Sequence, residues 1–200
     1  MKSLCTVIKK KALPLSLCVC LLSCTLAGCG KKDQVPFSEF TQDLFVSEIT
    51  ANTINLNYTI DDPAAYGITD YEISLGDFSK EARDGSRDSL QETKDALLEY
   101  DKSDLTLEEQ LTYDLLLDYL DTQIALCDYD LFYEPLAFSG GLQMELPILY
   151  AEYKLENKQD VEDYLELIAL TDEYFDQIME FEAEKSDNGY FMSEELCEKV

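Results

Sequence analysis

The 200-residue chain is strongly acidic, with 42 Asp and Glu against 15 Lys and Arg, a formal net charge of −27 and no histidine. Because nucleic-acid backbones are bound by clustered basic residues, this balance argues against a nucleic-acid partner, and the lack of His excludes Ser-His and Cys-His catalysis and the two-histidine zinc helix. The 46% hydrophobic residues, with 13 Tyr and 9 Phe, are enough for a folded core.

The N-terminal segment has the pattern of an export signal. Basic residues, Lys2 and Lys9–Lys11, precede an uncharged apolar run from Ala12 to Leu26. That run is shorter than the about twenty residues that a membrane-spanning helix needs. The run closes on Leu26–Cys29, in which small residues stand before a cysteine, and this tetrapeptide resembles the bacterial lipobox.

The resemblance to a lipobox implies cleavage before Cys29 and a diacylglyceryl group on the Cys29 thiol. Two acyl chains hold a protein at a membrane where one is marginal, because each buried methylene contributes about 0.8 kcal/mol. We therefore predict a lipoprotein signal peptide over 1–28, a tether over 29–35 and a folded domain over 36–200, anchored to the bacterial cell membrane on its extracytoplasmic side. The alternative is a plain secretory signal that leaves Cys29 free.

The first predicted elements are a helix that opens at Pro36–Phe37 and a β-strand over Thr53–Ile60. In the strand, apolar residues alternate strictly with polar ones up to Asp61, the pattern of a half-buried strand. The segment from Tyr66 to Gly76 is predicted as a loop or a second short strand.

A helical period follows from Phe78 to near Tyr100, and Thr106–Glu109 has the pattern of a capping box that starts the next helix. That helix is predicted to be buried along one apolar stripe. The stripe consists of Leu107, Leu111, Leu115, Tyr119 and Leu126, and it is widened by Leu116, Leu120 and Ile124.

Two further helices are predicted, over Leu142–Tyr153 and from an N-cap at Asp160 to Ser186–Gly189. Ser193 is a candidate N-cap close to the last residue, Val200. We therefore expect a mainly α fold, a helical array with one or two short N-terminal strands, as an incomplete part of a larger structure. The apolar stripe predicted for the last long helix is Val161, Tyr164, Leu165, Ile168, Phe175, Ile178 and Phe181.

Chemistry in the mature chain would depend on carboxylates and on two cysteines. Of the seven cysteines in the sequence, four leave with the signal peptide and Cys29 carries the lipid, so Cys127 and Cys197 remain. Paired acids such as Glu108 and Glu109 could support acid-base work or bind calcium, but in so acidic a chain a solvated helix face is the simpler reading, and no run fits a calcium loop. Cys127 and Cys197 either pair in a disulfide or remain as small buried thiols.

The segment from Phe132 to Gln143 is the candidate ligand-contact loop. Aromatic residues, a proline and paired glycines between two long helices can form a cleft wall or let the backbone approach a ligand closely. The alternative is a connection whose aromatic residues pack into the core. The candidate contact residues are Tyr133, Glu134, Pro135, Gly140 and Gln143.

Several segments, in order and spacing, resemble the N-terminal part of a family of bacterial lipoproteins of unknown function that are similar to helical zincin peptidases. These segments are Tyr113–Leu116, Phe132–Leu136, Gln143–Pro147, Ala151–Tyr153, Asp160–Leu165, Tyr174–Phe175, Phe181–Ser186 and Gly189–Met192.

This resemblance implies a helical peptidase-like fold whose N-terminal helices form one wall of a deep channel. Longer members of the family have a His-Glu-x-x-His helix, zinc and a peptide substrate, but no catalytic or metal residue transfers to this chain. We therefore expect the N-terminal portion of an extracytoplasmic zinc-peptidase-like lipoprotein, without its catalytic half and with no cofactor of its own. The alternative is a non-enzymatic acidic lipoprotein that binds a ligand or partner through residues 132–143.

Overall fold

The fold of residues 34–199, which a computed structural model describes, is mainly α-helical. The predicted signal peptide, Cys29 and most of the tether lie outside these residues. Short 3-10 turns at Pro63–Tyr66, Lys102–Asp104 and Cys127–Phe132 join some of the helices. The helices are α1 (Phe37–Thr50), α2 (Thr53–Thr59), α3 (Lys80–Leu98), α4 (Leu107–Leu126), α5 (Leu142–Ala151), α6 (Lys158–Asp187) and α7 (Glu194–Cys197).

Three apolar clusters hold these helices together. Phe37 of α1 packs with Leu97 of α3 and with Tyr113 and Leu120 of α4. A second cluster joins α1 to α2, and the third joins α2 to α5 and α6. The second cluster is Ile49, Leu56, Ile60 and Ile68, and the third is Ile54, Leu75, Leu146 and Leu167.

The strand predicted over Thr53–Ile60 is wrong, because these residues form helix α2, and no strand occurs in residues 34–199. The side chain of Asn52 caps the helix by accepting a hydrogen bond from the backbone N–H of Asn55 at 2.9 Å. Leu56 and Ile60 are four residues apart and both buried, whereas Tyr58 is exposed. The alternating residues therefore also fit a helical period, and the cap decides between the two.

The segment from Tyr66 to Gly76 is confirmed as a loop, apart from Tyr66, which ends a 3-10 turn. Its Ser74 contacts the first residue of α2: the backbone N–H of Thr53 donates to the carbonyl oxygen of Ser74 at 2.8 Å, and the backbone N–H of Ser74 donates to the Thr53 hydroxyl at 2.9 Å. The second short strand is therefore wrong as well, since the chain satisfies these groups at a helix terminus.

The capping box at the start of α4 is confirmed, but the predicted burial of its stripe holds only in part. Leu120 is buried and Leu116 and Ile124 are half-buried, whereas the other five predicted residues are exposed. The backbone N–H of Thr106 donates to a Glu109 carboxylate oxygen at 2.9 Å, and the backbone N–H of Glu109 donates to the Thr106 hydroxyl at 3.3 Å. The core contains Tyr113 and Leu120, which lie on the side of α4 opposite the exposed Leu107, Leu111 and Leu115. Because α4 carries leucines around most of its circumference, periodicity could not select the buried face.

The last long helix is confirmed, with two changes. It begins at Lys158 after the N-cap Asn157, so Asp160 is the third residue of a capping box and not the cap itself. Of the predicted stripe, Ile178 and Phe181 are fully buried, while Val161, Leu165 and Ile168 are exposed. The helix ends at Asp187, as expected from Ser186–Gly189.

Helix α5 confirms the prediction over Leu142–Tyr153 apart from its last two residues. Pro147 is the sixth residue of the helix and lies in the second turn, where its missing N–H removes one helical hydrogen bond. Among residues 34–199, no helix is both long enough and apolar enough to cross a membrane.

Candidate functional site

The predicted ligand-contact residues meet in the connection between α4 and α5, residues 127–141, and in the first turn of α5. Pro135 is buried, and its carbonyl oxygen accepts a hydrogen bond from the backbone N–H of Leu142 at 2.8 Å. The side-chain amide of Gln143 donates to the carbonyl oxygen of Ala137 at 2.8 Å. Pro135 and Gln143 therefore fasten the connection to α5.

Two consecutive glycines allow this tight geometry. Gly140 has a φ of +83°, in the left-handed region that glycine adopts at little cost. A Cβ atom on Gly141 would lie 2.2 Å from the side-chain oxygen of Gln143 and 2.6 Å from the backbone N and O of Ala137. Gly141 is therefore required for the close packing of two backbone segments.

A fully buried lysine of α6, Lys185, holds the middle of the connection. Its ammonium donates a hydrogen bond to the carbonyl oxygen of Tyr133 at 2.8 Å and lies 3.0 Å from a carboxylate oxygen of Glu134. A carboxylate oxygen of Glu182, one helical turn back on α6, is 3.5 Å away. Burial of a charged group is costly unless it is paired, and here one cation serves two acids.

A second cation, Arg83 of α3, binds the connection from the other side. Its guanidinium donates to carboxylate oxygens of Asp130 at 2.6 Å and of Glu184 at 2.7 Å. The guanidinium carbon lies 4.4 Å from the ring centroid of Phe181, within the range of a cation–π contact. Arg83 thus links α3, the connection and α6 through one side chain.

Glu182 is the unusual member of this group. Only 3% of its surface is exposed, and neither carboxylate oxygen has a hydrogen-bond partner. Burial raises the pKa of Glu182 above its ordinary value of 4.5, and the nearby Lys185 ammonium only partly opposes this. By contrast, hydrogen bonds from Lys80 and Arg83 lower the pKa of Glu184.

The outer side of the connection carries exposed aromatic residues. The rings of Phe132 and Tyr190 are 4.9 Å apart, and Tyr129 meets Phe132 edge-on. Tyr129, Phe132 and Tyr133 border an open cavity of about 380 Å³ that extends to Cys127. This surface can take part in apolar or stacking contacts.

The two cysteines do not form a disulfide. Both thiols are free; Cys127 is half-buried and Cys197 is exposed. The Cys127 thiol lies 3.3 Å from the carbonyl oxygen of Gln123 and donates a weak hydrogen bond to it. The expectation of two buried thiols is therefore wrong for Cys197.

The donor groups of this chain do not fit a zinc site. The sequence has no histidine, and residues 34–199 contain no group of three or more Cys, Asp or Glu side chains placed to hold a metal ion. Of the two buried acids in residues 34–199, Glu182 lies beside Lys185, and Asp163 accepts hydrogen bonds from the Tyr71 hydroxyl and the Gln159 amide. No chemical step that needs a metal can therefore be assigned to these residues.

The sequence prediction identified the connection but missed Arg83, Glu182 and Lys185, which hold it. One signal was available: Lys185 follows Phe181 by one helical turn and so continues the apolar stripe of α6. A basic residue in such a position is expected to be buried with a partner. The partners come from distant parts of the chain, and periodicity does not identify them.

Comparison with known proteins identifies a family for this chain. No curated protein and no solved structure matches the sequence. A family model described as bacterial protein of unknown function (DUF885) matches residues 63–200, which include α3 to α7 and the whole Lys185 and Arg83 cluster. The chain therefore belongs to this bacterial family of unknown function.

Proposed function

We propose that this chain is the extracytoplasmic N-terminal portion of a lipid-anchored, zinc-peptidase-like protein, in which its helices form one wall of the substrate channel. In this proposal the chain contributes shape and not catalysis, because the sequence has no histidine and residues 34–199 do not place three Cys, Asp or Glu side chains to hold a metal ion. Zinc and the residues that hold it would belong to the catalytic half of a longer family member.

The observation that carries the proposal is that α4 is apolar on two opposite sides. One side packs into the core through Tyr113 and Leu120. On the other side Leu107, Leu111 and Leu115, which we call the outer stripe, are 86%, 60% and 62% exposed. A helix at a protein surface needs only one apolar stripe, so the outer stripe is suited to packing against further helices of the same polypeptide.

Helices α5 and α6 support the same proposal. Ile148, Val161, Leu165 and Ile168 are exposed, although the same helices bury Leu146 and Leu167. Apolar surface on both sides is expected of an inner layer in a larger helical structure. A chain that exposes apolar surface on both sides to water would be less soluble.

The proposed lipid anchor is supported by the sequence Leu26–Cys29 and by the position of this sequence in the chain. Cys29 precedes α1 by a polar segment of a few residues, long enough to separate a folded domain from a lipid surface. The large negative charge would keep the domain away from anionic lipids, so attachment would depend on the acyl chains.

Reading the gene beyond codon 200 tests this proposal. We expect an open frame that encodes further helices with a His-Glu-x-x-His motif. A stop codon directly after Val200 would contradict it and would favour the second candidate.

The second candidate is an acidic lipoprotein that binds a ligand through residues 132–143. Its support is the exposed surface of Phe132 and Tyr133 beside an open cavity. Pro135, Gly141 and Gln143 serve internal packing, so only the aromatic part of the predicted loop would contact a ligand. Substitution of Tyr133 by Ser should then abolish binding without loss of stability.

A further inference from the structure

An apolar groove runs between α1 and the α3–α4 pair, away from the Lys185 cluster. The N-terminal part of α1 is closed onto this pair, since Phe37 and Phe40 contact Tyr100. Further along α1, the side chains of Leu44 and Phe45 instead line a cavity of about 470 Å³.

The floor of the groove is apolar and its rim is polar. Leu90 of α3 and Leu116 and Leu120 of α4 form the floor, and the exposed rings of Phe45 and Tyr119 flank it. Thr41, Thr93 and Thr112 are among the polar residues at its edges. Proteins bind the apolar face of an amphipathic helix in hydrophobic grooves of this kind.

Of the three helices that line the groove, α1 and α4 carry charge of a single sign, and each Lys and Arg residue of α3 is paired with an acid. Glu48 lies in the groove itself, and neither α1 nor α4 contains a Lys or Arg residue. Lys102 and Lys94 from neighbouring segments pair with only two of their acids, Asp114 and Asp121. The acids of the two helices are Glu39, Asp43, Glu48, Glu108, Glu109, Asp114, Asp118 and Asp121.

We infer that this groove binds a cationic amphipathic helical peptide. The apolar face of the peptide would cover Leu44, Leu116 and Leu120, and its basic residues would lie toward Glu48 and the acidic field of α1 and α4. A second copy of this chain is a poor occupant, because it would bring the same excess of negative charge. The inference concerns the groove and does not depend on the proposed peptidase-like function.

The probe is a fluorescently labelled synthetic peptide of about eighteen Leu and Lys residues, with Leu at i, i+3, i+4 and i+7 so that one helical face is apolar. Two control peptides separate shape from charge. One has the same composition in an order that destroys the apolar face, and the other replaces every Lys with Glu. Binding is measured by anisotropy with the full chain in nanodiscs of zwitterionic lipid, against empty nanodiscs.

Three variants locate the binding site. Phe45→Asp and Tyr119→Asp change exposed groove residues, so neither should unfold the protein, and Tyr58→Asp is the matched control on α2. We expect each groove variant to weaken binding about tenfold or more, and the control to bind as the unchanged chain does. Glu48→Gln should weaken binding, and salt raised from about 50 to about 300 mM should weaken it further by screening.

Several results would overturn the inference. Equal binding of the scrambled peptide would reduce the interaction to charge attraction, and equal binding of the Glu peptide would leave only apolar contact. Undiminished binding by Phe45→Asp would place the site elsewhere. Absence of peptide binding would refute the inference, and loss of self-association in Phe45→Asp would then assign the groove to a second copy of the chain.

Discussion

The buried ammonium of Lys185 donates a hydrogen bond to the carbonyl oxygen of Tyr133 at 2.8 Å, and so attaches α6 to the connection between α4 and α5. The two residues are 52 positions apart in sequence. A buried lysine needs a hydrogen-bond acceptor and a backbone carbonyl oxygen needs a donor, so this contact satisfies both groups. The conformation of the connection is therefore tied to the packing of α6.

Replacing Lys185 with Met should destabilise the protein strongly. The change leaves Glu182 and the Tyr133 carbonyl oxygen without their cation, and breaking a buried charge pair from one side costs about 3–5 kcal/mol. Urea unfolding measures the loss. Lys199→Met removes a lysine from an exposed pair with Glu195 and should leave stability unchanged; equal effects of the two changes would contradict a structural role for Lys185.

Glu182→Gln should stabilise the protein at neutral pH. Because the pKa of Glu182 is raised by burial, the folded state keeps its proton at pH values where the unfolded chain has released it. Stability is therefore lost as pH rises above the ordinary value of 4.5, and a neutral amide avoids this loss. We expect a gain in stability at pH 7 that disappears near pH 4, measured by melting at a series of pH values.

A neighbouring glutamate provides a contrast of opposite sign. The pKa of Glu184 is lowered by hydrogen bonds from Lys80 and Arg83, so its contribution to stability is present above pH 4.5 and is lost as pH falls. Glu184→Gln should therefore destabilise the protein at pH 7 and have less effect in acid. Glu180→Gln, at an exposed position of α6, is the control for the change in net charge. If Glu182→Gln, Glu184→Gln and Glu180→Gln changed stability in parallel with pH, the opposite contributions of Glu182 and Glu184 would be refuted.

Replacement of Gly141 and of Gly85 by alanine should change the stability of the protein in opposite directions. Gly141→Ala places a methyl group against the backbone of Ala137 and should cost about 1–3 kcal/mol. Gly85→Ala lies inside α3 with open space around it and should stabilise the protein by about 0.5–1 kcal/mol. Denaturation midpoints of the two variants test the pair, and a neutral Gly141→Ala would show that the connection is not closely packed.

The sequence predicted those features that depend on neighbouring residues. The capping box at Thr106 and the end of α6 near Gly189 follow from a few adjacent side chains, and both were predicted correctly. The helical conformation of α2 was not predicted, because the residues of Thr53–Ile60 fit a strand as well as a helix. The Asn52 cap is the feature that distinguishes the two. Short apolar runs commonly leave this ambiguity.

The choice of which helix faces are buried, and the Lys185 and Arg83 cluster, depend on contacts between distant segments. Leucines lie on several faces of α4, so the choice of Tyr113 and Leu120 for the core is made by Phe37 and Leu97. In the same way, Arg83 meets Asp130 and Glu184 only after three segments have packed. Single-sequence periodicity contains no information about such partners.

The anchor is tested by changing one thiol. The expressed precursor should partition into the detergent phase after phase separation, because two acyl chains dominate its transfer free energy. Cys29→Ser should release the protein into the aqueous phase, and Cys127→Ser should not. Unchanged partition of the Cys29 variant would refute the lipobox reading.

The central claim is that α4 and α6 carry apolar surface that this chain does not cover by itself. Residues 31–200, expressed alone, are the direct test by ANS fluorescence, sedimentation and thermal melting. We expect dye binding, a weakly cooperative melt and self-association that increases with salt, because screening weakens charge repulsion without covering the outer stripe of Leu107, Leu111 and Leu115. A monodisperse monomer with a sharp melt and no dye binding would contradict the claim.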